Sequence, residues 1–424
     1  MPVESQTSPL EPASLQLINA MGAQGDGVTA NGTFVPLTLP GERVLVGGEG
    51  VRAELLEVIE PSPERVRPPC PHFGDCGGCA LQHWATEPYL AWKNEQIRLA
   101  LARVRIETDI ASLFAAAPGA RRRVALHAKR QGREVLLGFK ARRSWRLVAI
   151  DTCVIAEPRL VAALPALRRL SEAFLEHPKS APILHVTATD TGLDVDVTGV
   201  ERRHGGLSAD ARMRAAEVAF GDDLARVTLA GEIIYRTRPA VVRLGTVSVA
   251  LPPGAFLQAV AAAEEAMARV MVEAAAGARG VADLFSGLGA FTLRLAAVAP
   301  VLAADLSAPA IGALRAGMAS ALGLKAVTAQ TRDLDRRPML ASELSKIDVA
   351  VFDPPRAGAA AQAAQLAGSS VARVIAVSCN PTTFARDARI LIDGGFSLDR
   401  VLSVDQFLWS PHIELMGIFS RAGR

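Results

Sequence analysis

The chain has 424 residues, of which 50% are hydrophobic and 21% charged, with a formal net charge of +3. That length accommodates two or three domains. It shows no uncharged apolar run long enough for a membrane span, and no basic start followed by an apolar stretch, so a cytoplasmic protein without membrane attachment is expected.

Residues 14–60 contain short apolar stretches punctuated by glycine: LQLINAMG, GTFVPL, ERVLVG and RAELLEVI. This spacing predicts a small β-barrel of the kind nucleic-acid-binding modules use. Residues 1–69 carry 4 basic and 9 acidic side chains, an unusual balance for such a module. PSPERVRPPC (61–70) is a proline-rich exit from it. Residues 71–245 read as a mixed α and β segment, with a helix near 90–104 and strand-like runs such as HVTATDTGLDVDVTG. Within it, residues 93–146 hold 14 Lys and Arg against 4 Asp and Glu. The block includes residues 121–123, Lys129, Arg130, Arg133, Lys140, Arg142, Arg143 and Arg146. It suits a polyanion-binding face, and equally a merely solvated basic surface. From about residue 246, strands alternate with alanine-rich helices, which argues for βαβ units and a parallel sheet.

Five cysteines are distributed unevenly. Cys70, Cys76 and Cys79 crowd the stretch CPHFGDCGGC, and Cys153 follows in VAIDTCVI. Three clustered thiols and a distant fourth can supply four ligands, and by spacing alone structural zinc and an iron–sulfur cluster are equally served. A reducing compartment disfavours disulfides among them. Cys379 stands apart in IAVSCNPTTFARD, where Asn380-Pro381 ends an apolar strand. A lone cysteine is more often a small core residue. This polar, turn-forming setting instead points to a thiol presented at the strand's end, where a depressed pKa can be arranged.

The C-terminal third supplies further strand-end features. GVADLFSGLGAFTL reads as a strand, a turn at Gly287 and Gly289, and a helix, but Thr292 replaces the third glycine of a dinucleotide-phosphate cradle. VLAADLS ends in Asp305, placed to accept hydrogen bonds from ribose hydroxyls. Asp333 in TRDLD and Asp353 in VAVFDPPRAG follow the same logic, although any one such Asp also serves as a cap or turn residue. Open α/β sheets bind ligands beyond the carboxyl ends of their strands. Phe285, Asp305, Asp333, Asp353 and Cys379 therefore make a sensible site.

Over nearly its whole length the sequence resembles the iron–sulfur-containing RNA (uracil-5-)-methyltransferases, which make 5-methyluridine in ribosomal or transfer RNA. The resemblance is carried by NGTFVPLTLPGERV, CPHFGDCGGCALQHW, GFKARRSWRLVAIDTCVI, GAFLQ, ADLFSGLGAFTL, FDPPRAGA, VSCNPTTFARD and HIELMGIFSR. It implies a TRAM-like β-barrel over residues 1–62, a central iron–sulfur and RNA-binding domain over 63–245, and a Rossmann-like methyltransferase domain over 246–424. It also implies a 4Fe–4S cluster on Cys70, Cys76, Cys79 and Cys153, with zinc as the alternative. S-adenosylmethionine would be held by Gln258, Phe285, Asp305, Asp333 and Asp353. Cys379 would be the nucleophile that adds to uracil C6, and Glu414 the base that removes the C5 proton.

FDPPRAGA, VSCNPTTFARD and MGIFSR look closest to the branch acting on 23S ribosomal RNA, so ribosomal RNA is favoured over transfer RNA, with the enzyme a monomer. The sequence departs from the family's common pattern at Val260, at Ala290, and over Phe407, Leu408, Trp409 and Ser410, which bear on donor and base-pocket contacts. Three other readings stand behind this one. Arg356 replaces the aromatic residue that exocyclic-amine methylation expects after Asp-Pro-Pro. Pro355 stands where a cytosine-5 enzyme would place a second cysteine. A non-catalytic, cluster-bearing RNA-binding protein would leave Asp305, Asp353, Cys379 and Glu414 without a purpose.

Overall fold

The structure, a computed structural model, describes residues 13–48, 50–201 and 207–421. The chain forms two compact units, one running through Gln96 and including Trp409–Pro411, the other comprising Ile97–Leu408 and the segment from His412 onward. No described helix is long and apolar enough to cross a membrane.

The first unit is built on a five-stranded antiparallel sheet. Its strands are Ser14–Met21, Asp26–Thr29, Phe34–Pro36, Arg43–Gly47 and Glu54–Glu60, with the first at the centre and Phe34–Pro36 and Glu54–Glu60 at the edges. The sheet curls far enough for Phe34 to bridge Arg52, next to the opposite edge, around a small core of Ile18, Val35, Val44, Val46 and Ala53. Gly27 is obligatory at the bend, because a Cβ there would fall 2.7 Å from Ile18 Cγ2. The proline-rich exit is anchored by buried Glu42, which accepts from the Ser62 amide at 3.2 Å and from Arg65 Nη2 at 2.8 Å. The helix expected near 90–104 forms over Thr86–Ala102.

In the second unit a seven-stranded sheet spans residues 123–236, mostly antiparallel, with helices Leu164–Ala173 and Ala209–Gly221 packed on one face. The other sheet has eight strands: β1 (Ile110–Ala115), β2 (Val281–Leu284), β3 (Val301–Asp305), β4 (Val327–Thr331), β5 (Val349–Phe352), β6 (Arg373–Ser378), β7 (Ser397–Asp405) and β8 (Glu414–Ser420). Their order is β4-β3-β2-β5-β6-β8-β7-β1; β2 to β6 run parallel, and β8 is antiparallel to both of its neighbours. β2 and β5 are buried along their whole length, which explains their unbroken apolar character. Helix Ala261–Ala274 packs on one face, and helices Ala360–Ala367 and Pro381–Asp393 on the other. The order of strands reverses between β2 and β5, so the crevice beyond their carboxyl ends is the natural ligand site.

Two expectations change here. β1, from within the basic stretch, joins this sheet beside β7 and not the central one. After the glycine turn only a four-residue helix forms, Thr292–Leu295.

Candidate active site

Cys379 lies between the end of β6 and the start of helix Pro381–Asp393. Ser378 Oγ accepts from the Asn380 amide at 3.1 Å, and Asn380 caps the helix by accepting from the Thr382 amide at 3.0 Å. This turn stops the strand and leaves the thiol half-buried at its tip. Ser378 pairs with Leu415 in the antiparallel β6–β8 ladder, so one step beyond that pair sets Cys379 beside Glu414.

Glu414 is buried, and its Oε2 accepts from Gln406 Nε2 at 2.9 Å. The same Nε2 donates to Gln258 Oε1 at 2.7 Å, and Gln258 Nε2 donates to Asp353 Oδ2 at 2.7 Å. Gln406 Oε1 accepts from the Ala259 amide at 3.0 Å, which fixes the orientation of its side chain. Two amides thus join the carboxyl groups of Asp353 and Glu414.

Burial pushes Asp353 up to about 7, with help from Asp283. Glu414 is driven well above the usual carboxylate range by burial and by Asp353, while Gln406 and Arg356 work against the rise. The Cys379 thiol is also pushed up, by burial first and then by Glu414, with Arg356 opposing. The depressed thiol pKa allowed by the strand-end position is therefore not the resting condition: the acids around Cys379 outweigh the guanidinium. Arg356 leaves the loop after β5, and its carbonyl accepts from Asn380 Nδ2 at 3.2 Å and Thr383 Oγ1 at 3.3 Å. That loop turns at Gly358, where φ is +78° and a Cβ would fall 2.7 Å from Asp387 Oδ2.

Beyond β2 and β3 a second group of residues assembles. Phe285 adopts a left-handed backbone with φ of +62°, and Gly287 and Gly289 follow at +53° and +86°. Asp305 secures the turn, its Oδ2 accepting from the Gly287 amide at 2.9 Å and its Oδ1 from the Ser307 amide at 2.7 Å. A Cβ on Gly289 would strike Leu314, whereas one on Gly287 would meet open space. Ser286 Oγ is buried with no hydrogen-bond partner among the described residues.

A profile of the family described as "tRNA (Uracil-5-)-methyltransferase" matches residues 246–422. An uncharacterized RNA methyltransferase of Caulobacter vibrioides is 63% identical over 410 residues, covering 95% of this chain and 99% of that one. The 23S rRNA (uracil(1939)-C(5))-methyltransferase RlmD of Halomonas elongata is 36% identical over 419 residues, 92% of this chain and 84% of the other. The chain belongs to the RNA (uracil-5-)-methyltransferase family. It is an RNA (uracil-5-)-methyltransferase enzyme, and its fold is that of the Pyrococcus abyssi tRNA (uracil-54, C5)-methyltransferase solved with S-adenosyl-L-homocysteine. That structure superposes with a TM-score of 0.72 at 23% identity, covering 96% of this chain and 99% of that one.

Other residues expected in the methyltransferase's site are placed less decisively. Asp333 follows β4, and its Oδ1 accepts from the amides of Asp335 (3.2 Å) and Arg336 (3.1 Å), so it caps a turn. Cys70, Cys76 and Cys79 lie in the first unit and Cys153 in the second, all half-buried. The Cys70 amide donates to Gln82 Oε1 at 3.2 Å, and the Gly78 amide to Cys76 Sγ at 3.5 Å. Among the described residues no group of three or more His, Cys, Asp or Glu side chains is disposed to hold a metal ion.

The departures of this methyltransferase have local causes. Val260 is a buried core residue at the N-cap of helix Ala261–Ala274, and Ala290 packs against the apolar cluster that includes Leu288 and Leu314. Trp409 has φ of +55°; its amide donates to Tyr89 Oη at 2.8 Å and its carbonyl accepts from the Ala80 amide at 2.8 Å.

Part of the basic block turns inward. Arg122 is buried; its Nη2 pairs with Glu264 at 2.6 Å and its Nε donates to the Gln258 carbonyl at 2.9 Å. Arg123 Nη1 donates to the Leu257 carbonyl at 2.8 Å, and burial, then Arg122 and Arg121, push its pKa down to about 10. Lys93 is wholly buried against the Tyr89 ring. These cations are scaffolding, and Arg122 and Arg123 brace the loop that carries Gln258.

Sequence reasoning passed over two residues. Gln406 gave one signal, a polar amide between Asp405 and Phe407 shortly before Glu414. Asp283 gave another, an acid inside the otherwise apolar strand VADL. Its Oδ2 accepts from Thr292 Oγ1 at 2.5 Å, its Oδ1 has no partner among the described residues, and burial raises it to about 7.

Proposed function

We propose that the enzyme methylates C5 of a uridine in structured RNA, with 23S ribosomal RNA favoured over transfer RNA. One observation carries this reading: the β6–β8 register sets Cys379 beside Glu414, and two amides connect Glu414 to Asp353. Uridine C5 is a poor nucleophile until another nucleophile has added at C6. The half-buried Cys379 thiol loses its proton to solvent and the thiolate sulfur bonds to C6, so the C5–C6 π electrons pass to C5 and O4 as an enolate. S-adenosylmethionine, when bound, supplies the methyl group that C5 takes up. The Glu414 carboxylate then removes the C5 proton, the S–C6 bond breaks, and Cys379 leaves as thiolate. The target base must leave its stack to meet the thiol.

The donor site fits this co-substrate. The unpartnered Ser286 hydroxyl and the open space at Gly287 lie beside Phe285 and Asp305, which would hold it together with Gln258, Asp333 and Asp353. The Halomonas relative's name supports a ribosomal substrate, while the family description supports transfer RNA as the second reading. The direct test incubates the protein with labelled S-adenosylmethionine and ribosomal or transfer RNA, then digests the RNA to nucleosides. Label in 5-methyluridine is expected; label only in 5-methylcytidine or in an exocyclic N-methyl nucleoside defeats the reading.

The reading extends to the rest of the chain as a cytoplasmic monomer with a TRAM-like barrel over residues 1–62, a central RNA-binding domain over 63–245 and the catalytic domain over 246–424. For Cys70, Cys76, Cys79 and Cys153 the reading takes a 4Fe–4S cluster from the family resemblance alone, thiolates being the donors such a cluster uses. That group enters no step of the reaction. Anaerobically purified protein should contain iron and acid-labile sulfide, and stoichiometric zinc without iron would assign the thiols to zinc instead.

A further inference from the structure

One solvent-facing feature of the second unit has no part in the reaction described above. Strands Arg123–Gln131 and Glu134–Lys140 pair antiparallel, with Ala128 opposite Leu137 and His127 opposite Gly138. Leu126, Ala128, Val135 and Leu137 point into the core beneath the two helices. By the two-residue period of a strand, His127, Lys129 and Lys140 occupy the other face.

Between Lys140 and Leu147 the chain makes a tight projection. The Ala141 amide donates to the Arg146 carbonyl at 2.8 Å, and the Ser144 amide to the Ala141 carbonyl at 3.1 Å. The Arg146 amide donates to Ser144 Oγ at 3.1 Å, so the turn is ordered by its own hydrogen bonds. At its tip stands Trp145, which is 87% exposed, whereas Trp84 and Trp92 are buried. Lys140 Nζ sits 3.9 Å from the Trp145 ring centroid. The ammonium sits over one face of the indole, and the high exposure leaves the opposite face open.

An exposed indole with Lys140 against one face, at the end of a strand pair whose outer face also carries Lys129, has the chemistry of a base-stacking platform. We propose that the open face of Trp145 stacks an unpaired nucleobase of the RNA substrate, while Lys129 and Lys140 neutralise phosphates of the flanking nucleotides. This rests on the RNA-methylation reading and adds a specific contact outside the catalytic crevice. A base already stacked within a duplex has no free face to offer, so the platform selects single-stranded segments.

The test uses the full chain and two fluorescent probes, a single-stranded oligouridylate and a duplex RNA of the same length, titrated across a salt series. Trp145→Ala is expected to raise the oligouridylate Kd about tenfold, equivalent to about 1.4 kcal/mol, and Trp145→Phe to recover most of the loss. Duplex affinity should stay unchanged. The salt slope for oligouridylate should also hold in Trp145→Ala, because no phosphate contact is removed, and should flatten in Lys140→Ala. Oligouridylate binding within twofold of wild type in Trp145→Ala, or an equal loss on the duplex, overturns the platform. Wild-type protein that binds neither RNA would overturn the RNA reading as well, whereas wild-type methylation with an unaffected Trp145→Ala retires the platform alone.

Discussion

Cys379→Ala is expected to abolish methyl transfer, with a fall of at least about 10,000-fold, the scale seen when a covalent nucleophile is removed, while S-adenosylmethionine binds with wild-type affinity. The two effects separate because the groups are separate in the fold. Cys379 belongs to the turn after β6, while Phe285, Ser286 and Asp305 belong to the turns after β2 and β3, anchored by their own hydrogen bonds. The substitution is also structurally mild. The thiol is half-buried, and the strand-to-helix turn is held by Ser378 and Asn380, not by Cys379 itself. Calorimetry with the donor alone and a methylation assay on the same preparation give the comparison. RNA carrying 5-fluorouridine adds a second readout: wild-type protein should form an adduct that survives denaturant, and Cys379→Ala none. Methylation at even about one hundredth of the wild-type rate would exceed what orientation alone leaves after loss of a nucleophile, and would remove Cys379 from the reaction.

The fold of the catalytic sheet was readable because its central strands are buried on both faces. VLAAD, VAVF and RVIAVS are largely apolar runs that end abruptly in turns, so the strand-end positions of Asp305, Asp353 and Cys379 follow from the sequence with little else needed. Partnership at long range was not readable. IASLFA has the pattern of a strand, but nothing in those six residues says that it lies beside β7, nearly 300 residues later, and not beside the strand that follows it. Gln406 escaped for the same reason, since its value lies in hydrogen bonds to Gln258 and Glu414, which arrive from different elements. The basic block misled by its density. Charge counts cannot distinguish an arginine facing RNA from Arg122, which is buried against Glu264, or from Arg123, which supports the Leu257 carbonyl. Exposed Lys129, Arg130, Arg133, Arg143 and Arg146 lie on and beside the strands Arg123–Gln131 and Glu134–Lys140, whereas exposed Arg98, Arg103 and Arg105 lie on and just after helix Thr86–Ala102.

Glu414→Gln should stall the reaction after methyl transfer and accumulate a covalent complex between protein and natural, unfluorinated RNA. The amide preserves the shape of the side chain but cannot accept the C5 proton, so elimination of Cys379 fails while addition proceeds. A general base contributes about 100- to 10,000-fold, and turnover should fall within that range while a denaturant-resistant band grows on a gel. The electrostatics give a second, independent signature. Burial is the first cause of the raised pKa of Cys379, and Glu414 is the largest charged one. Removing the carboxylate stabilises the thiolate, so the midpoint for Cys379 alkylation by iodoacetamide should move to lower pH. Arg356→Ala should move it the other way, because that guanidinium favours the thiolate. Gln406→Leu withdraws the donor that stabilises the ionised Glu414, together with the bonds of that amide to Gln258 and Ala259. The Glu414 carboxyl then holds its proton to higher pH, and the acid limb of the methylation profile shifts upward without a trapped complex. If Glu414→Gln turns over freely with no accumulated adduct, another group removes the proton. An alkylation midpoint unchanged in that variant would show that the carboxylate is not beside the sulfur.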